Sequence, residues 1–131
     1  MYTSLKLVIV FLLLGLFSSG YASAHELTPT YVQLKQSYVE NVLTTSVYLW
    51  NGRADVLYYR VNVYDKDMKE VEFFSLPAEI VKLEYTKRQK IDVYMSSLNA
   101  RKAVYICTRS QILKGLKQKT VVSSKICSKI K

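Results

Sequence analysis

Apolar and polar positions alternate along much of the chain after residue 30, and that alternation predicts strands. From Val42 to Trp50 (VLTTSVYLW), Leu43, Thr45, Val47 and Leu49 share one face, because successive strand side chains point to opposite sides. The pattern is clearest from Val56 to Tyr64 (VLYYRVNVY). There Leu57, Tyr59, Val61 and Val63 face one way, and Tyr58, Arg60, Asn62 and Tyr64 the other. Further strands are expected over Thr30–Leu34, Glu70–Phe74, Glu79–Tyr85, Gln89–Met95, Ala103–Thr108 and Thr120–Cys127. Asn51 to Asp55 and Asp65 to Lys69 supply turns. Pro77 argues against a central strand at its position, since it cannot donate to a ladder. Ser96 to Arg101 reads as a corner with one helical turn, and Gln111 to Lys119 as a long loop able to hold a short helix. Short strands at near-regular spacing predict a sandwich or barrel.

Ahead of these strands the pattern changes. Leu7 to Phe17 (LVIVFLLLGLF) is an apolar run behind a single positive charge, Lys6. Small and polar residues follow, and Ala22-Ser23-Ala24 offers an A-x-A cleavage site. Residues 1–24 are therefore expected to be a secretory signal peptide whose removal leaves His25 as the new N-terminus. A spanning helix needs about 20 apolar residues, which favours a signal. The uncharged stretch Leu7 to Ala24 leaves a retained anchor as the alternative. Residues 25–131 then form one domain, periplasmic or secreted.

Export changes the meaning of the charge. The chain carries 19 Lys+Arg against 10 Asp+Glu, and its last acid is Asp92. The end of the chain, residues 101–131, is basic throughout. Such asymmetry points to an anionic partner. For an exported protein that is an anionic envelope surface or an acidic protein, and no nucleic acid is expected. The lysines concerned are Lys114, Lys117, Lys119, Lys125, Lys129 and Lys131. Within the loop, Ile112, Leu113 and Leu116 alternate with Lys114, Lys117 and Lys119, a composition suited to docking on an acidic partner or a membrane surface. The same apolar residues would serve equally to cap the core.

Both cysteines, Cys107 and Cys127, lie in the exported part, where an oxidising compartment makes their pairing the expectation. Their disulfide would staple the last two strands as antiparallel neighbours. Other chemistry is sparse. His25 is the only histidine; as an N-terminal residue it is a weak copper ligand through its amine and ring, but a histidine brace needs a second histidine. One His and two Cys leave a zinc site short of ligands. There is no G-x-S-x-G turn and no Gly-rich phosphate loop. Paired cysteines supply no nucleophile. Asp65, Asp67, Glu70 and Glu72 sit in or beside a lysine-flanked turn with too few oxygen ligands for calcium. No enzymatic activity and no cofactor are expected.

The order of several short motifs is similar to that of the N-terminal immunoglobulin-like domain of periplasmic pilus-assembly chaperones. Leu27-Thr28-Pro29-Thr30 resembles the family's L-x-P-T first strand. Val47 to Asn51 and then Asp55 to Tyr59 resemble its strand, Asn turn and Tyr-containing strand. Phe73-Phe74 through Pro77, Val81-Lys82-Leu83 and Gln89 to Val93 resemble its F-x-x-x-P, R-L and Q-x-L-R-I run, and Ala103 to Thr108 stands at its F strand. Tyr105-Ile106-Cys107 has tyrosine-corner spacing, without the usual upstream cysteine. These pieces span most of residues 27–108 and imply an all-β fold, a single immunoglobulin-like β-sandwich. There are departures. The family's arginine after the threonine, which acts with a G-strand lysine on a subunit's terminal carboxylate, is Tyr31 here. Lys125 or Lys129 stands for the lysine, the corner Ser97 to Arg101 lacks the family's acid, and no second domain follows Lys131.

The resemblance implies a non-enzymatic binding or assembly-accessory module, chaperone-like, that contacts a protein partner through its C-terminal hairpin, residues 109–131. An exposed strand edge there would accept a partner's strand. The alternatives are an electrostatic binder of the anionic envelope surface and a small copper-binding protein using His25.

Overall fold

A computed structural model describes residues 24–112 and 123–131. In chain order the strands are β1 (Glu26–Thr28), β2 (Tyr31–Val32), β3 (Lys35–Gln36), β4 (Val42–Trp50), β5 (Tyr58–Tyr64), β6 (Glu70–Val71), β7 (Phe74–Leu76), β8 (Ile80–Lys82) and β9 (Arg88–Ser96). A short helix, α1 (Ser97–Lys102), then leads to β10 (Tyr105–Gln111) and β11 (Lys125–Ile130). The strands form two sheets. One runs β1-β4-β9-β7, with β3 also on β4; the other runs β2-β11-β10-β5-β6, with β8 also on β5.

Alternation explains why the sheets face each other. Val47 and Leu49 of β4 and Ile91, Val93 and Met95 of β9 turn inward, as do Tyr59, Val61 and Val63 of β5 and Ile106 of β10. Burying a side chain of this kind contributes about 1.5–3 kcal/mol, so these two inner faces hold the layers together. The result is the expected all-β, immunoglobulin-like sandwich. The inward set of β4 is the predicted one; β5 begins at Tyr58 and turns Tyr59, Val61 and Val63 inward as expected, while ahead of it Val56 and not Leu57 is buried.

Several boundaries differ from expectation. The first strand was expected at Thr30–Leu34, yet β1 begins at Glu26 and the chain changes sheets at Pro29. Only Leu27 of β1 is buried, too short a pattern to show periodicity. The expected strand Glu70–Phe74 is two strands in different sheets, β6 and β7. β7 stops at Leu76, and Pro77 follows an edge strand, where it costs no central ladder bond. The last strand starts at Lys125 and runs to Ile130, three residues beyond Cys127. The corner at Ser96 is the expected helical turn, its start capped by the Ser96 hydroxyl accepting from the Asn99 amide at 3.2 Å. The expected signal peptide, residues 1–24, lies outside the described residues except for Ala24.

Candidate functional site

The C-terminal hairpin is held at three levels. Cys107 stands directly opposite Cys127 in the β10–β11 register, and the two form the expected disulfide. At the base of the loop, the Ser110 amide donates to the Ser124 carbonyl at 2.9 Å, and the Ser124 amide donates to the Ser110 hydroxyl at 2.9 Å. At the far end, β2 joins β11 in parallel, with Tyr31 beside Lys129 and Val32 beside Ile130. Ser128 is fully buried, and its hydroxyl donates to the Pro29 carbonyl at 2.6 Å. Of the loop residues expected to contact a partner, Ile112 is exposed, whereas Leu113, Lys114, Leu116, Lys117 and Lys119 lie outside the described residues.

Register fixes what β11 shows to its surroundings. The Ile130 amide bonds to Val104, so alternate residues turn their backbone groups towards the β10 side, while Lys125, Cys127 and Lys129 turn theirs away. The Lys129 amide is taken by Thr30 at 2.8 Å. Among the described residues no strand pairs with Lys125 to Cys127 on that outer side. Among the described residues this stretch is a strand edge without a ladder partner. Of the two lysines offered by the sequence, the register brings Lys129, not Lys125, beside Tyr31. The Lys131 ammonium lies over the Tyr31 ring at 4.5 Å, and the Lys125 ammonium over Tyr64 at 4.2 Å.

A buried polar cluster that the alternation pattern does not signal supports the hairpin base. Asn51, expected only as a turn residue, is fully buried. Its amide nitrogen donates to the carbonyls of Val56 at 2.7 Å and Leu83 at 2.8 Å, and its side-chain oxygen accepts from the Tyr59 hydroxyl and the Arg53 amide. Burial pushes the Tyr59 hydroxyl up to about 12, which keeps it a donor. His25 is buried against Tyr59, ring centroids 4.7 Å apart. Its Nε2 lies 3.2 Å from the Thr108 carbonyl and 2.9 Å from that residue's hydroxyl. A carbonyl only accepts, so Nε2 carries the proton and Nδ1 accepts from the Ser124 hydroxyl at 2.9 Å. Burial chiefly, with the nearby Arg53 charge, holds the His25 imidazole down at about 4, against the opposing Thr108 bond. Arg53 bridges to Asp55 at 2.6 Å and reaches Ser124 at 3.4 Å.

This arrangement organises structure. Both ring nitrogens of His25 are engaged inside the fold, which favours a packing role over the copper reading. Among the described residues no three His, Cys, Asp or Glu side chains converge as metal ligands would. Asp65 accepts from the Lys69 and Asp67 amides of its own turn, which hold its carboxyl below the usual carboxylate range.

No protein-family model and no curated protein matches the sequence. The fold has counterparts among solved structures. The E. coli chaperone DraB aligns with a TM-score of 0.58 at 12% identity, over 82% of this chain and 53% of that one. A structure of the Salmonella enterica SafA pilin in complex with the SafB chaperone matches at 0.56 and 13% identity, over 86% of this chain and 55% of the matched chain. The ASH or PapD-like domain 7 of human CEP192 matches at 0.53 and 10% identity, over 87% of each chain. The fold is thus that of a PapD-like immunoglobulin domain. The chain spans about half the length of the two bacterial chains it matches.

Proposed function

We propose that this is an exported, non-enzymatic, chaperone-like module, periplasmic or secreted, that binds a protein partner by strand addition along β11. The open edge from Lys125 to Cys127 carries the reading, because an unpaired row of N–H and C=O groups is a template for another strand. The likeness to the DraB and SafB chaperones supports it at the level of fold, and SafB's own structure contains a pilin. Lys129, beside Tyr31 on the parallel β2, would meet a carboxylate of that partner. The loop residues Ile112, Leu113 and Leu116 and the lysines Lys114, Lys117 and Lys119 would extend the contact.

The test separates backbone from charge. Lys125→Pro removes an edge N–H but no bond to β10, whereas Lys125→Gln removes the charge and keeps the N–H. Partner recovered by crosslinking from the export compartment should be lost with Lys125→Pro and retained with Lys125→Gln. Equal retention in both variants rejects strand addition here.

A further inference from the structure

The outer face of the second sheet has a composition that the edge does not explain. Arg60 of β5, Arg109 of β10 and Lys125 of β11 stand in one cross-strand row, Arg109 being opposite both others. Neighbouring strands lie about 4.8 Å apart, and like charges placed directly opposite destabilise a sheet. Two acids share the face, Glu70 opposite Tyr64 and Glu79 near Arg60, and neither stands beside Arg109 in the register. Glu79 approaches Arg60 at 3.8 Å, and Lys125 leans over Tyr64. No carboxylate pairs with Arg109 among the described residues. The Arg60 Nε is buried without a hydrogen-bond partner. Asn62, Tyr58, Tyr64, Tyr105 and Gln111 point the same way, by alternation on β5 and β10, and offer hydroxyls and amides on either side of the row.

We infer that this face binds an extended acidic polysaccharide, its carboxylates or sulfates lying along the Arg60–Arg109–Lys125 row and its hydroxyls on the flanking amides and tyrosines. A flat sheet of cations and hydrogen-bonding groups complements a chain carrying repeated negative charge and many hydroxyls. Other anionic partners fit less well. Membrane binding calls for a cluster of apolar side chains to insert, but the exposed Phe74, Leu76 and Tyr48 belong to the opposite sheet, and the exposed Tyr31 and Ile112 stand at separate margins of this one. Single-stranded nucleic acid calls for a run of neighbouring open rings, but the Tyr64 and Tyr31 rings are covered by lysines, and Tyr58 and Tyr105 stand at opposite ends of the β5–β10 ladder. An acidic peptide adding as a strand needs an edge, not the middle of a sheet. The surface is separate from the β11 backbone edge, and it relies on the export reading only for contact with such a polymer.

The experiment uses protein recovered from cells expressing the whole chain, titrated with polygalacturonate at low and high salt. Arg60→Gln plus Arg109→Gln should weaken binding by about tenfold or more, while the charge-matched Lys66→Gln plus Lys69→Gln should change it less than about twofold. Arg60→Lys plus Arg109→Lys, which keeps the charge, should retain most of the affinity and guards against a folding defect in the neutral variant. The inference fails if the unaltered chain does not bind polygalacturonate, or if both glutamine pairs weaken binding equally. It also fails if phosphatidylglycerol vesicles or oligothymidylate bind more tightly than polygalacturonate. Lys125 is unaltered in these variants, so the outcome is independent of the strand-addition test.

Discussion

At the scale of the residue, His25 and Asn51 tie strands that are far apart in sequence. His25 is neutral in the folded chain because burial disfavours its charge. Its folded value near 4 lies below the ordinary 6.5, so the unfolded chain takes up the proton first. The stability this group contributes is complete above 6.5 and drains away as the pH falls towards 4. The loss is at most about 3 kcal/mol. Arg53 faces the ring, with Asp55 paired to it and Tyr59 stacked alongside, and none of these becomes more accommodating to a second positive charge in that window. Urea unfolding at neutral pH and near the bottom of that window should show the loss in the unaltered chain. A His25→Gln variant should lose distinctly less over the same interval; an equal loss would place the acid sensitivity elsewhere. Asn51→Ala strands the Val56 and Leu83 carbonyls and the Tyr59 hydroxyl, and should cost about 3 kcal/mol. A cost below about 1 kcal/mol in the same assay would show that water replaces these bonds. Neither role was legible in the sequence. An asparagine before a glycine signals a turn, and a lone histidine after an A-x-A site signals a cut; the partners of His25 are 83 and 99 residues away.

At the scale of the element, legibility followed the length of the alternation. β4 and β5 were read correctly because several inward positions repeat in each. β1, β6 and β7 have only two or three residues apiece, and periodicity cannot say which sheet a short strand joins. Of the expected last strand, Thr120–Cys127, the part to Val122 lies outside the described residues, and β11 begins at Lys125 with its pairing set by Cys127 opposite Cys107. That disulfide joins positions 20 apart and should contribute about 3 kcal/mol in the chain-entropy account. Replacing both cysteines with alanine should lower the denaturant midpoint accordingly and leave β4 and β9 paired. An unchanged midpoint would mean that the strand ladder alone fixes the hairpin. Gly52 is a tighter constraint than its turn position suggests. A Cβ there would lie 2.6 Å from the Trp50 ring, so Gly52→Ala displaces that side chain.

At the scale of the molecule, the two sheets present different exteriors. The first shows Phe74, Leu76 and Tyr48, and a groove lined by Val42, Phe74, Tyr94 and Asn99. The second shows a cationic face and ends in the β11 edge. Among the described residues, Arg109, Lys125 and Lys129 of the basic end share one sheet with Arg60 and Lys82. Composition alone cannot choose among the lysines, and only pairing distinguishes Lys129 beside Tyr31 from Lys125 beside Arg109. Strand addition requires β11 to be the partner-binding edge. Photocrosslinking in the export compartment tests it directly, with a photoreactive residue placed at position 125 or, on the first sheet, at position 90. Strand addition predicts a discrete protein adduct from position 125 and none from position 90. Adducts of equal yield from both positions, or only from position 90, would contradict it.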